Sequence, residues 1–363
     1  MQRLIFYGII VAFVALLFLL VDVIIYWLLR IFLPKATALL ASRVILGLMI
    51  LTAGIAATVG HYVTRHQIVV HEVPVVSPRV PEAFDGFRIA QISDLHLDSF
   101  GKEEGRAFLT RLADSLAATR PDIIVFTGDL VTLRSAEALP FRQSLAAIAR
   151  IPHHSGHGLV PVYSILGNHD YADYVRSFSS ERRRADIDSL IRIQEEAGWH
   201  MLKNSSVTLA RPLNDSASQH IALIGVENIG EPPFSTYGDL SRAMAPVGGL
   251  QAADTLFSVL LTHNPTHWRA EVLPRTRIDL SLAGHTHATQ FRIGTWSPAR
   301  WKYSEWMGLY DARHQSEDAA LPYPEYEAGN PQYLYVNTGI GCVGPRVRIG
   351  VPPEISVLEL RRQ

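Results

Sequence analysis

Between Leu4 and Leu33 the chain carries only two charged residues, Asp22 and Arg30, and a second run from Val44 to Val63 carries none apart from the titratable His61. A bilayer core of about 30 Å is crossed by about 20 apolar residues in a helix, whose backbone groups are satisfied within the segment itself. Two spanning helices are expected, over about 4–33 and 44–63, joined at Pro34 and Lys35 into a hairpin. A cleaved leader has an apolar region of only about 7 to 15 residues, so residues 1–63 read as a retained anchor. Asp22 is expected near its helix end or against the partner helix. These features predict a multi-pass protein of the cell (inner) membrane. Arg30, Lys35 and Arg43 at the turn nearly balance Arg3, Arg65 and the α-amino group, so the side taken by the rest of the chain stays open, with a slight lean toward a cytoplasmic turn.

Beyond the apolar part the chain reads as ordinary soluble protein, long enough for one large domain or two small ones. Its 33 Lys and Arg against 34 Asp and Glu leave no basic field of the kind that binds nucleic acid by counterion release, so nucleic acid is not expected as the main partner. The single cysteine, Cys342, excludes an intrachain disulfide framework and reads as a small packed residue.

Residues 64–86 read as a linker that becomes a first strand over Gln67–Val76. Then apolar runs alternate with helical patterns: Phe87–Ile92, a helix over Glu103–Ala118, Ile123–Phe126, a helix over Ala136–Ala149, and Val162–Leu166. A longer helix is expected over Glu181–Ala197, followed by short runs at Ile221–Val226, Leu256–Leu261, Ile278–Leu282 and Ile355–Leu360. The alternation predicts a layered α/β body over 87–363. The Trp-, Tyr- and Pro-rich stretch at 294–330 lacks periodicity and is expected to be a surface insertion or lid.

Five blocks of metal-ligand residues each follow an apolar run: Asp94-Leu95-His96, Gly128-Asp129, Gly167-Asn168-His169-Asp170, Thr262-His263-Asn264-Pro265 and Gly284-His285-Thr286-His287. In open α/β sheets ligands gather where the carboxyl ends of strands meet. Any one block is weak, since a lone Asp caps a turn and a lone His packs in a core. Together they are strong. The D-x-H and H-x-H pairs would place alternate side chains on one side of an extended backbone, and the glycines before Asp129, Asn168 and His285 permit close approach. Carboxylate, imidazole and amide ligands without thiolate suit Mn, Fe or Zn.

In this order the blocks resemble the calcineurin-like metallophosphoesterase superfamily. The closing stretch Tyr335-Val336-Asn337-Thr338-Gly339-Ile340-Gly341, with Pro353-Glu354-Ile355, is similar to the bacterial membrane-associated YkuE/YaeI-like phosphodiesterase branch, although Ala288-Thr289-Gln290 stands where that branch often has glycines. The branch is similar to enzymes that cleave the pyrophosphate of UDP-2,3-diacylglucosamine. The resemblance implies a double β-sheet sandwich flanked by helices. It also implies two divalent metal ions, one on Asp94, His96 and His287, the other on Asn168, His263 and His285, with Asp129 bridging them.

The expected reaction is attack of a metal-bridging hydroxide on a phosphodiester, phosphomonoester or pyrophosphate, with a lipid-linked substrate such as UDP-2,3-diacylglucosamine favoured by the anchor. A broad cell-envelope phosphodiesterase is the alternative. A catalytically silent metal-bound scaffold is disfavoured because every ligand position is filled. His169 is expected to protonate the leaving oxygen, with Asp170 orienting its imidazole. Arg346 and Arg348 are weaker candidates for phosphate contact. His153, His154 and His157 read as a surface loop without a nearby carboxylate, and His267 as a helix-surface residue.

Overall fold

The computed structural model describes residues 2–231, 235–250, 255–314 and 331–363. Two helices open it, α1 (Gln2–Arg30) and α2 (Lys35–Tyr62), packed along one another. Both are long and apolar enough to cross a membrane by length and composition. Asp22 is buried in their contact and pairs with Arg43 at 2.8 Å, so the acid faces its partner helix. The second helix begins at Lys35, ahead of the apolar run at Val44, because Pro34 supplies a suitable N-cap dihedral and the alanines and leucines at 36 and 38–41 are strong helix formers.

The body is a sandwich of two mixed six-stranded sheets. The first has the order β1-β12-β2-β3-β4-β5, built from β1 (Val69–Ser77), β2 (Arg88–Ile92), β3 (Ile123–Phe126), β4 (Val162–Ser164), β5 (Trp199–Met201) and β12 (Glu354–Arg362). The second has the order β10-β11-β9-β8-β7-β6, from β6 (Ser205–Asn214), β7 (Ala217–Gly225), β8 (Phe257–Leu261), β9 (Leu280–Ala283), β10 (Gly308–Asp311) and β11 (Tyr333–Val336). Val125, Ile165, Leu223, Val259, Leu282 and Leu358 fill the space between the sheets. Helices α3 (Lys102–Ala118), α4 (Arg142–Ile148) and α5 (Ser180–Glu196) cover the outer face of the first sheet, where Leu112, Leu145 and Leu190 share a core with Ile92, Phe126 and Val357. On the second sheet α6 (Leu240–Met244) and Trp268 pack over Ile224, Leu260 and Val336. In each sheet β2, β3, β4 and β7, β8, β9 run parallel, so their carboxyl ends open on one edge of the sandwich.

Three expectations need correction. The helix over Ala136–Ala149 is two short 3-10 turns followed by α4, because Pro140 lacks the N–H that a continuous helix requires. β5 and β6 were not foreseen: both are edge strands, β5 is three residues long, and the outer half of β6 is largely exposed and mixes Ala210, Pro212 and Leu213 with Arg211 and Asn214, without apolar alternation. The stretch 294–330 includes a strand, β10, while the part of that expectation at 315–330 lies outside the described residues.

Phe126 is fully buried beneath Trp199, with ring centroids 5.4 Å apart, at the end of the strand that leads into Asp129. Phe126→Ala should cost about 3–5 kcal/mol of stability, read from denaturant unfolding of the detergent-solubilised protein. A loss below about 1 kcal/mol would show that the cavity collapses and that this layer is not tightly packed.

Candidate metal centre

All five ligand blocks leave the carboxyl ends of strands and reach one crevice at the junction of the sheets. Asp94 and His96 follow β2, Asp129 follows β3, Asn168 follows β4, His263 follows β8, and His285 and His287 follow β9. The blocks are stitched together by backbone bonds: Asp94 N donates to Gly128 O, His96 N to Asp129 O, and Gly284 N to His263 O. On one side, His287 Nε2 lies 3.2 Å from Asp94 Oδ1 and His96 Nε2 lies 3.5 Å from Asp129 Oδ2. On the other, His263 Nε2 is 3.2 Å from Asp129 Oδ2 and 3.0 Å from Asn168 Oδ1, and His285 Nδ1 is 2.8 Å from that amide oxygen. Asp129 therefore stands between the two groups. Ligand atoms of Asp94, His96 and His287 lie within 4.8 Å of one another, as do those of Asp94, Asp129 and His263.

This donor set fits divalent cations. Among the described residues, Nε2 of His96 and of His287 are buried without a hydrogen-bond partner, though each faces a carboxylate. Buried polar atoms are rarely left so, and a cation at that point satisfies both. Glycine is required by space as well: a Cβ on Gly128, at φ 98°, would meet Gly167 Cα at 2.7 Å and His263 Nδ1 at 2.9 Å.

The D-x-H and H-x-H pairs converge by a different route from the expected extended strand. Asp94, His96, Asp129, His285 and His287 all have positive φ, between 38° and 74°. Left-handed turns, not pleat alternation, aim each pair at the crevice. Ala288, Thr289 and Gln290 continue in the same region at φ 47°, 51° and 58°, where glycine would be unstrained. Gln290 is held there by its side chain, which donates to Pro345 O and Val347 O and accepts from Val343 N.

Outer partners fix the imidazoles. His263 Nδ1 donates to Thr127 O at 2.8 Å, His96 Nδ1 meets Thr132 Oγ1 at 3.0 Å, and His285 Nε2 meets the Tyr303 hydroxyl at 3.0 Å. Such contacts set which ring nitrogen faces an ion. His169 lies beside the cluster, its Nδ1 donating to Thr132 O at 2.7 Å and its backbone N–H to Asp129 Oδ1 at 2.8 Å. Asp170 does not orient that ring. Its carboxylate accepts from the backbone N–H groups of Asp129, Leu130, Val131 and Gly167, clamping the loop that carries Asp129.

Other expectations also shift. Arg348 is fully buried, bonded to Gly341 O and Thr338 O with Nη2 3.3 Å from His287 Nδ1, so it props the site from behind and has no free face for phosphate. His267 is buried between Thr262 and Glu271 and is not on a helix surface. A carboxylate does meet the surface histidine loop: Asp122 Oδ1 lies 3.5 Å from His153 Nε2. Sequence reading missed Thr132 and Tyr303, which stand in no motif. It also missed the role of Glu354, which accepts from Thr338 and Tyr335 and so braces the loop whose Gly341 N donates to Asp94 O.

Without a cation the charges compensate one another. Burial pushes the Asp94 and Asp129 carboxyls up, but neighbouring imidazolium charges, foremost His287 for Asp94 and His263 for Asp129, outweigh it and hold both well below the usual range. Burial likewise opposes a charge on His263, yet Asp129 beside it raises its pKa to about 9. Burial, helped by the charge of His263, pushes His285 down to about 3. Burial and then the charge of Asp129 raise Asp170 to about 7.

Two outcomes are expected. Since His263 holds a proton below about pH 9 and a metal needs the neutral ring, Mn²⁺ uptake at pH 7 should release a proton and tighten as pH rises toward 9. Calorimetry in two buffers of different ionisation enthalpy reads this; heats independent of the buffer would contradict it. Asp170→Asn cannot accept from four N–H groups and should lower bound metal per chain, with a stability loss of about 1–3 kcal/mol. Full metal content with a changed pH profile would instead restore the imidazole-orienting role.

Residues 87–289 match the family model described as calcineurin-like phosphoesterase. The chain is 28% identical over 86% of its length to the uncharacterized metallophosphoesterase YkuE of Bacillus subtilis, covering 92% of that protein. It is 27% identical over 75% of its length to the UDP-2,3-diacylglucosamine pyrophosphatase LpxG of Chlamydia trachomatis, covering 83% of it. A transmembrane protein with metallophosphoesterase domain from Danio rerio is 26% identical over 60% of the chain, which spans 44% of that relative. With the family model spanning more than half of the chain and its strands delivering the ligand blocks to one crevice, the protein belongs to the calcineurin-like phosphoesterases and is a hydrolase of phosphoric esters.

Proposed function

We propose that Asp94, His96 and His287 hold one divalent cation and Asn168, His263 and His285 a second, with Asp129 shared, in an enzyme anchored in the cell membrane by a 1–63 hairpin. The observation that carries this reading is the convergence of six other ligand-type side chains around Asp129, with the Nε2 atoms of His96 and His287 buried and without a hydrogen-bond partner among the described residues. Bound there, two cations of the Mn, Fe or Zn type would supply Lewis acidity toward the phosphoryl group and lower the pKa of an attacking water.

The chain's own residues supply the rest. The Nδ1–H of His169 is committed to Thr132 O, which leaves Nε2 to pass a proton to the departing oxygen. The Asp129–His169 backbone bond keeps that ring in step with the shared carboxylate. The cleft above the cluster, about 480 Å³, is lined by Lys302 and Tyr303 and by Val343, Pro345, Val347 and Ile349. A lining that combines a cation and a hydroxyl with apolar side chains suits an amphiphilic phosphoester, in keeping with the lipid-linked substrate named for the chlamydial relative.

The test uses full-length protein in detergent, stripped of metal and reloaded with Mn²⁺, Fe²⁺ or Zn²⁺, on UDP-2,3-diacylglucosamine and on bis-p-nitrophenyl phosphate. Cleavage of the first, lost on chelation, is expected. Turnover of the aryl diester alone would favour the broad envelope phosphodiesterase, and no turnover of either would leave a scaffold. On an alkyl phosphodiester, whose alkoxide leaves poorly without a proton, His169→Ala should lower turnover by about 10²–10⁴-fold at unchanged metal content.

A further inference from the structure

The segment 291–303 ends one wall of the cleft and carries an unusual set of exposed side chains. Trp301 is 79% exposed, Ile293 65%, and Trp296 37%. Large aromatic residues seldom stand so far into water unless something covers them. Trp296 and Trp301 lie edge to face with centroids 5.4 Å apart, and Phe291 meets Trp296 in the same way at 6.3 Å. Over the same span the sequence holds Arg292, Arg300 and Lys302 and no acid.

What lies beside this patch is the end of the second apolar helix. Phe291 is bridged to Ile349, and 347–349 pack against Gly60, where a Cβ would come within 2.8 Å of Val347 Cγ1 and 3.1 Å of Ile349 Cγ1. His61 Nδ1 donates to Arg346 O at 2.8 Å. Arg65 closes the junction, donating to Ser99 O and pairing with Glu104. Gly60, Ile349, Phe291, Trp296 and Trp301 thus form one continuous path from the helix end to the exposed pair. The apolar run of α2 stops at Val63, so a bilayer crossed by that helix has its headgroup layer at the level of Gly60 and His61.

We infer that 291–303 is a membrane-surface element: Ile293, Trp296 and Trp301 seat in the headgroup layer of the bilayer that holds the hairpin, with the net positive charge of the span at the level of acidic phospholipid. Tryptophan is the residue favoured at that depth, its ring apolar and its N–H wet, and basic segments are drawn to an acidic membrane surface. The same segment contributes Phe291, Lys302 and Tyr303 to the cleft, so seating it would turn the cleft mouth toward the membrane and admit a phosphoester whose tail stays in lipid. This rests on the reading that the hairpin spans a membrane.

Fluorescence quenching in nanodiscs containing phosphatidylglycerol tests both layers separately. Trp27, exposed on α1, reports the hairpin, and the difference between the full-length protein and Trp301→Phe reports the patch. Spin-labelled phospholipid carrying its label near the headgroup, present in both leaflets, should quench about half of the Trp301 emission and should also quench Trp27, which lies one turn from Arg30 at the turn end of the hairpin. If Trp27, isolated through Trp27→Phe, is quenched and Trp301 is not, the surface element is overturned and the hairpin stands. If neither is quenched, the spanning hairpin fails and takes this inference with it. Trp301 is solvent-exposed, so its substitution leaves the core untouched; a Trp296→Phe difference spectrum repeats the measurement at a neighbouring ring.

Discussion

Asp94 and Asp129 are carboxylates removed from water and placed in one crevice, and much of the surrounding structure answers their charge. Burying an ion costs several kcal/mol unless it is paired and hydrogen-bonded. Here the answer comes in layers. Imidazoles approach from both sheets, and backbone N–H groups of His169 and His285 donate directly to the carboxylates. A proton on His263 and a cation beside Asp129 would compete for the same imidazole, so the site's charge state and its capacity for a cation are one question.

Placing those groups so densely has a backbone consequence. Five of the ligand-type residues adopt left-handed dihedrals, a conformation that costs energy for residues with a Cβ. The strain persists because outer contacts over-determine it. Asp170 fixes the turn at Asp129, the Gln290 side chain fixes the turn after His287, and Arg348 and Glu354 fix the loop that backs Asp94. Asp170, expected beside an imidazole, shows the point well: a buried acid next to a reactive histidine can still belong to the backbone, and only the donors around it tell which.

The parallel strands and their ligand blocks were legible because both rest on local signals: short apolar runs, glycines, and residues whose chemistry is rare in combination. β6 was harder although Val207 and Leu209 alternate with polar residues, because an edge strand shows that pattern over only half its length. Tyr303 and Thr132 were invisible for a different reason. Each acts through a partner distant in sequence, Tyr303 eighteen residues from His285 and Thr132 thirty-six from His96, and nothing in its own neighbourhood marks it. His267 misled because a lone histidine at helical spacing looks the same whether its face turns out or in. The D-x-H pair was identified for a reason the backbone does not follow, since side chains two apart can also meet through consecutive unusual turns.

The 343–350 segment joins parts that sequence keeps far apart. Its apolar side chains wall the cleft, its Arg348 backs His287, and its backbone rests on Gly60 and His61. A displacement of α2 against the body would therefore be felt first at this segment, then at Gln290, whose three bonds run to it, and then at the strained turn beside His287. Rigid, multiply bonded contacts of this kind transmit position and not merely proximity. The α2 end, the cleft wall and the cluster of ligand-type residues consequently form one mechanical unit, in which the placement of α2 bears on that of the site.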